Sequence, residues 1–266
     1  MKPILGFGPL LLLVALAVVG PALAPWAPSA TSVIHRLEAP SVLHWFGTDS
    51  LGRDVFSRVL AATRTDVEAA FLAVSISAAI GAPIGAACGY LGGALDRWLG
   101  RVVDVLMAFP LFVAAMALVA ALGNSLGNVV WATAIVNLPF YIRIARSQIA
   151  AKRSLPYVMA ARLGGLGEFG IIMRVLLPNI LPTLAVQISV NCSWAVLNTA
   201  ALSFIGLGVR PPNPEWGVLV SEGAQYLTTG QWWVALLPAA ALAAAVFSFS
   251  LAGDCAHDLL DSRRRG

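Results

Sequence analysis

The chain has 266 residues, 59% of them hydrophobic and 11% charged, with a mean hydropathy of +0.82. Soluble globular domains carry about a quarter charged residues, so this composition excludes them and points to a polytopic membrane protein. The net charge of +4 lies in loops without interleaved aromatics, which argues against a nucleic-acid partner.

A bilayer core needs about 20 apolar residues per helix. Six segments qualify, at 4–23, 69–90, 102–122, 129–148, 177–201 and 232–251. They are rich in Ala, Gly, Val and Leu, small residues that let helices approach closely inside lipid. A barrel would show short alternating strands instead. The expected fold is an all-α integral membrane protein, one six-helix transmembrane bundle over residues 1–266.

Ala22-Leu23-Ala24 resembles a signal-peptide cleavage site. Only Lys2 supplies positive charge before it, and Pro25 would follow the cut, so the first span is expected to be retained. The segment 25–68 then forms an outer loop. Within it Asp49 or Ser50 caps a helical run whose apolar stripe is Val55, Val59 and Leu60, with Arg53, Arg58 and Arg64 elsewhere on the helix. That pattern fits an amphipathic helix at the outer interface or, equally, a loop helix packed on the bundle. Trp45, Trp216, Trp232 and Trp233 are expected near the outer headgroups.

At the start of the third span, Arg97, Arg101 and Asp104 fall at i, i+4 and i+7. An interfacial ion pair that anchors the helix is favoured over a docking contact. Between the fourth and fifth spans, residues 154–176 read as an elbow. Ser154 caps a helix with Pro156 in its first turn, running from Tyr157 to Arg162. Gly164 and Gly165 stop it, and a second short segment from Glu168 to Val175 leads to Pro178. Ala160 and Ala161 keep its surface low, which allows a partner to pack closely.

Polar residues inside spans mark either a substrate path or interhelical hydrogen bonds. Asn137 lies on the fourth span, and Gln187, Asn191, Asn198 and Thr199 lie on the fifth. Gln187, Asn191 and Asn198 share one helix face. With both termini on one side, twelve of the 17 Lys and Arg fall on that side, including Lys2, Lys152 and Arg263 to Arg265. The positive-inside rule makes that side cytoplasmic. Cys88, Cys192 and Cys255, like His35, His44 and His257, are scattered, so no metal site is assigned. Neither Lys2 nor Lys152 follows a glycine-rich phosphate loop, so the chain is not expected to hydrolyse ATP.

The elbow resembles the cytosolic coupling motif of ABC-importer permeases, Glu-Ala-Ala, three residues, Gly, nine residues, Ile-x-Leu-Pro. Here it reads Met159-Ala160-Ala161, Gly165, then Val175-Leu176-Leu177-Pro178. Met159 replaces the acid and Val175 the Ile. Phe46-Gly47-Thr48-Asp49 through Arg58 is similar to the N-terminal signature of the dipeptide, oligopeptide and nickel permeases. Gly89 to Gly93, Ala201 to Gly208, Pro211 to Gly217 and Gly253 to Asp261 continue the likeness, with His257 and Ser262 where Arg and Pro are usual. It is to the second, short-loop type of the family's two permeases.

The resemblance implies a type I importer fold with cytoplasmic termini in the bacterial inner membrane. It implies an ATP-driven importer in which this chain forms half of the pathway. The partners would be a second, different permease, two cytosolic ATPase subunits and a soluble or lipid-anchored binding protein. ATP and Mg would bind the ATPases, with no cofactor on this chain. Met159, Ala160, Ala161, Gly165, Val175, Leu177 and Pro178 would couple to the ATPases. Asn137, Gln187, Asn191, Asn198 and Thr199 are the candidate pathway residues; Thr199 stands where the family commonly has Glu. Short peptides are the expected substrate, with nickel or a metal chelate second. A secondary transporter or channel is the reading from another class, set against by the lack of a repeat and by charges near span ends.

Overall fold

The structure, a computed structural model, describes residues 6–262. Ile4 and Leu5 of the expected first span lie outside it, as do Lys2 and Arg263 to Arg265 of the orientation argument. The regular structure of the described residues is helical, joined by loops, with one isolated bridge between Thr48 and Asp54. We number the helices α1 (Gly8–Leu23), α2 (Val55–Leu91), α3 (Gly93–Ala108), α4 (Leu111–Leu122), α5 (Leu126–Lys152), α6 (Pro156–Leu163), α7 (Glu168–Phe204), α8 (Trp216–Ala224) and α9 (Trp233–Ser262). Of these, α2, α5, α7 and α9 are long and apolar enough to cross a membrane, and α3 with α4 makes a bent fifth candidate. The 16-residue α1 is apolar but shorter.

At 37 residues, α2 is central and packs against α1, α5, α7 and α9. It merges the expected interfacial helix and second span into one element. The charges that ended the span in the sequence are neutralised by the protein itself. Arg58 is matched by Asp49 and Glu222, and Arg64 pairs with Glu68 at 2.8 Å on the exposed side. The cap is Asp54, not Asp49 or Ser50. Its carboxylate accepts the Ser57 N–H at 2.7 Å and sits 2.9 Å from His44 Nδ1.

Gly81, Gly85 and Gly89 recur every four residues along the face of α2 that meets α5. A Cβ at Gly85 would lie 2.2 Å from the Ile142 carbonyl oxygen, and one at Gly89 would lie 2.4 Å from that of Arg146. The helices therefore touch backbone to backbone, the approach that small residues at four-residue spacing permit in lipid.

The expected third span is not one helix. Between α3 and α4 the axis turns by 89° at Phe109-Pro110. Pro110 has no N–H to continue the helix and forces Phe109 into extended geometry, at φ −81° and ψ 139°. Its charges also pair across helices rather than along α3, Asp104 with Arg143 and Asp96 with Arg146. Trp216 and Trp233 are buried inside the protein, with Trp233 Nε1 donating to the Thr48 carbonyl at 3.2 Å, whereas Trp45 and Trp232 are exposed. The aromatic-belt expectation thus misplaces Trp216 and Trp233, because both side chains are buried within the protein itself.

The segment before α2 and helix α8 are clamped by buried charge. Asp49 Oδ2 accepts from Arg53 Nε at 2.6 Å and Arg58 Nη1 at 2.5 Å, and Glu222 Oε2 accepts from Arg53 Nη2 at 2.9 Å and Arg58 Nη1 at 2.8 Å. Nearby, Asp66 Oδ2 accepts the Trp216 N–H at 3.0 Å, and Glu215 caps α8 by accepting the Val218 N–H at 2.9 Å. Asp66 Oδ1 and Glu215 Oε1 are buried without a donor among the described residues. Asp66→Asn supplies an amide donor at this contact and is expected to shift stability by less than about 1 kcal/mol. Asp66→Leu strands the Trp216 N–H and is expected to cost about 1–3 kcal/mol. Thermal melting of the purified complex in detergent would rank the two, and an Asn variant as unstable as the Leu variant would contradict this account.

Candidate functional site

The elbow is built by its own sequence. Leu155, not Ser154, occupies the cap position of α6 and makes no side-chain bond; Pro156 follows in the first turn, where a missing N–H leaves no partner wanting. At the other end Leu166 N–H bonds to the Ala161 carbonyl at 3.2 Å and Gly165 N–H to that of Arg162 at 3.1 Å. This paired closure is a Schellman motif, which needs a left-handed residue at its turn. Gly165 supplies it with φ of 84°. The elbow is therefore a fixed shape rather than a tether.

The second short segment is not separate: Glu168 to Phe204 is one helix. Its first turns widen to π geometry at Ile171–Leu176, where the Leu177 N–H reaches the Ile172 carbonyl. Pro178 accounts for this. It cannot donate to Arg174 four residues back, and its ring would crowd that carbonyl, so the helix takes in an extra residue. Asn179 Nδ2 donates to the Val175 carbonyl at 2.7 Å.

Of the seven coupling candidates, Met159 and Ala160 are exposed on α6, as is Gly165 on the turn. Ala161 faces the other way, packing with Val158 and Leu166 against the core. Val175 and Leu177 are half-buried, and Pro178 is exposed on α7. The sequence reading passed over the two most prominent apolar groups here, Leu163 at 84% exposure and Phe169 at 76%. They flank the glycine turn. Exposed apolar side chains beside a turn were visible in the sequence, but which face they occupy depends on how the turn closes.

Arg162 ties the elbow to the bundle. Its Nη2 donates to the Tyr90 hydroxyl at 2.7 Å, its guanidinium lies 5.9 Å from the Tyr90 ring centroid, and Glu168 Oε1 is 3.6 Å away. The hydrogen bond to Tyr90 and the negative charge of Glu168 raise the Arg162 pKa above its ordinary value.

The five polar span residues lie between α5 and α7 in two groups. Asn198 Nδ2 donates to Thr133 Oγ1 at 3.1 Å, and Asn137 Nδ2 donates to the Thr133 carbonyl at 3.1 Å, with Thr199 buried beside Asn198 in sequence. Towards the elbow end of α7, Gln187 Nε2 lies 3.4 Å from Asn191 Oδ1. Asn191 Nδ2, Asn198 Oδ1 and the Tyr141 hydroxyl are buried with no hydrogen-bond partner among the described residues. Each such orphan costs about 1–3 kcal/mol, so these groups hold spare bonding capacity in the middle of the bundle.

Residues 81–266 match the family described as binding-protein-dependent transport system inner membrane component. The chain is similar to the probable D,D-dipeptide transport system permease protein DdpC of Escherichia coli (strain K12), 41% identical over 97% of this chain and 86% of the relative. It is 36% identical to the dipeptide transport system permease protein DppC of Alkalihalophilus pseudofirmus, over 95% of this chain and 83% of the relative. It is 38% identical to the glutathione transport system permease protein GsiD of Escherichia coli O6:K15:H31, over 96% and 84%.

Proposed function

We propose, from the premise that this chain belongs to the family of binding-protein-dependent transport system inner membrane components, that it forms half of the pathway of an ATP-driven peptide importer. It is a multi-pass inner-membrane permease subunit and not an enzyme; ATP hydrolysis belongs to separate ATPase subunits. The family also implies a substrate-binding protein as partner.

The finer picture is ours. The chain crosses the membrane six times with both termini cytoplasmic, counting α1 as the first span and bent α3–α4 as the third. A second, different permease completes the pathway. Two ATPases, which carry the ATP and Mg, dock on Met159, Ala160 and the neighbouring Leu163 and Phe169, while Ala161, Gly165, Val175, Leu177 and Pro178 shape the support beneath them. The relatives are named for dipeptides and glutathione, which favours short peptides over nickel or a metal chelate. Asn137, Gln187, Asn191, Asn198 and Thr199 serve the pathway, with the unpaired groups of Asn191 and Asn198 free to bond substrate.

The observation that carries this reading is the rigid elbow with its exposed apolar pair, bonded through Arg162 to the end of α2. Coupling requires that the elbow make different contacts in the two transport states. Affinity capture of the tagged chain from native membranes is expected to recover a second permease and ATPase subunits, with uptake strictly dependent on ATP. Recovery of the chain alone, with uptake persisting, would instead indicate a self-contained transporter. Asn191→Leu is expected to slow uptake severalfold at unchanged complex levels; unchanged uptake would remove Asn191 from the pathway.

A further inference from the structure

A cavity of about 460 Å³ opens where the end of α5, the first half of α7 and the last turns of α9 meet. Gln148 and Lys152 come from α5, Thr183 and Gln187 from α7, and His257 and Leu260 from α9. The size lies within the range of small-molecule sites. Its wall is unlike that of the cavity at the other end of α7, which is lined by Phe112, Leu197, Phe204 and other apolar side chains.

Asn179, also in the wall of the first cavity, donates to the Val175 carbonyl, but most of the cavity's other polar groups have no partner among the described residues. Lys152 is half-buried and no described carboxylate lies within salt-bridge distance of it, although Arg143 and Arg146 on the same helix each have an aspartate. Gln148, Thr183 and His257 make no side-chain hydrogen bond to the described residues. Gln187 also lies 3.4 Å from Asn191 Oδ1, which links the cavity wall to one of the polar groups in the bundle's middle. A lysine at a helix C-terminus also gains from the helix dipole, but that does not account for amide, hydroxyl and imidazole groups converging on the same space. Cationic and hydrogen-bonding, the site suits a short ligand that bears a carboxylate and peptide groups.

We infer that this cavity is an exit site that holds the carboxylate of a newly imported short peptide at Lys152 and His257, with Gln148, Thr183 and Gln187 bonding its amides. The inference rests on the peptide-importer reading and adds a place where the substrate pauses on the cytoplasmic side. The phosphate of an anionic lipid presents the same oxyanion chemistry, and the test separates the two sources.

The full complex carrying Thr183→Cys is placed in phosphatidylcholine nanodiscs without ATP, and maleimide modification at position 183 is followed by mass spectrometry. Ala-Ala at millimolar concentration is expected to slow modification at least threefold, while Ala-Ala amide leaves it unchanged. Lys152→Met is expected to abolish the protection and Lys152→Arg to keep it, with the unprotected rate similar in all three. Equal protection by the amide, or none by Ala-Ala, overturns the site. Protection that appears only on adding phosphatidylglycerol assigns the cavity to lipid and also overturns it. ATP-driven Ala-Ala uptake by the same complex in proteoliposomes tests the importer reading separately; uptake without protection removes only the exit site.

Discussion

Gly85→Val is expected to leave no recoverable complex in the membrane. At this position α2 lies directly on α5: an added Cβ would come within 2.2 Å of the Ile142 carbonyl oxygen, 2.9 Å of its carbon and 3.0 Å of Ala145 Cβ. The first two are backbone atoms, which cannot rotate aside as a side chain could. Gly81 and Gly89 repeat the constraint one turn to either side, against Tyr141 Cβ at 2.8 Å and the Arg146 carbonyl oxygen at 2.4 Å. A valine therefore has to push the whole seam apart. Overpacking an adjustable core costs about 1–3 kcal/mol, and here the separation also removes contacts along both helices, with no hydrophobic force in lipid to restore them. Gly85→Ala should be intermediate. Gly127→Ala, at a position with no other atom within 4 Å of the added Cβ, should be harmless. Fluorescence-detected size exclusion of the three variants gives the order, and a normal peak for Gly85→Val would mean that α2 and α5 do not meet in this way.

Leu163→Asp combined with Phe169→Asp is expected to reduce ATP-driven uptake more than tenfold while the permease itself still accumulates. Both side chains project from the elbow with little contact to their own chain, so charge is tolerated there in the isolated subunit. Against an ATPase the situation reverses. Full burial of a Leu or Phe is worth about 1.5–3 kcal/mol, and about 1.4 kcal/mol is a factor of ten in affinity. The double variant should pull down the second permease but few ATPase subunits. Ala161→Arg makes the contrast. Ala161 faces the core beside Val158, so its replacement should lower chain levels as well as uptake. Normal uptake by the aspartate pair would place the docking surface elsewhere on the elbow.

Hydropathy found an apolar core in each long helix, because lipid imposes one simple demand on each span, but several of the helices run 9 to 14 residues beyond it. It failed where a long-range partner altered the local cost of charge. Arg58 and Asp66 read as the edge of a membrane segment, yet α2 runs through both because Glu222 and the Trp216 N–H, some 150 residues on, receive them. The break at Phe109-Pro110 was in plain view in the sequence, and only the run of apolar residues across it suggested continuity. The helix and glycine turn of the elbow were legible through their spacing. Which alanine points outward was not, since that depends on the Schellman closure at Gly165 and on the core beneath Val158. Likewise, the four-residue recurrence of Gly81, Gly85 and Gly89 was visible, but its meaning required the face of α5 it meets.

The length of α2 has a mechanical consequence. At about 1.5 Å per residue, its 37 residues span about 55 Å. One end carries Tyr90, held by Arg162 of the elbow; the other carries Arg58, held by Asp49 and Glu222. Pro83 interrupts its hydrogen bonding, but the contacts at Gly81 and Gly85 splint that point against α5. The helix is thus a lever with loads at both tips and a fulcrum between them. A tilt of about 10° would carry one tip about 10 Å relative to the other, so a small rotation at the Tyr90 end would be delivered as a large stroke at the Arg58 end.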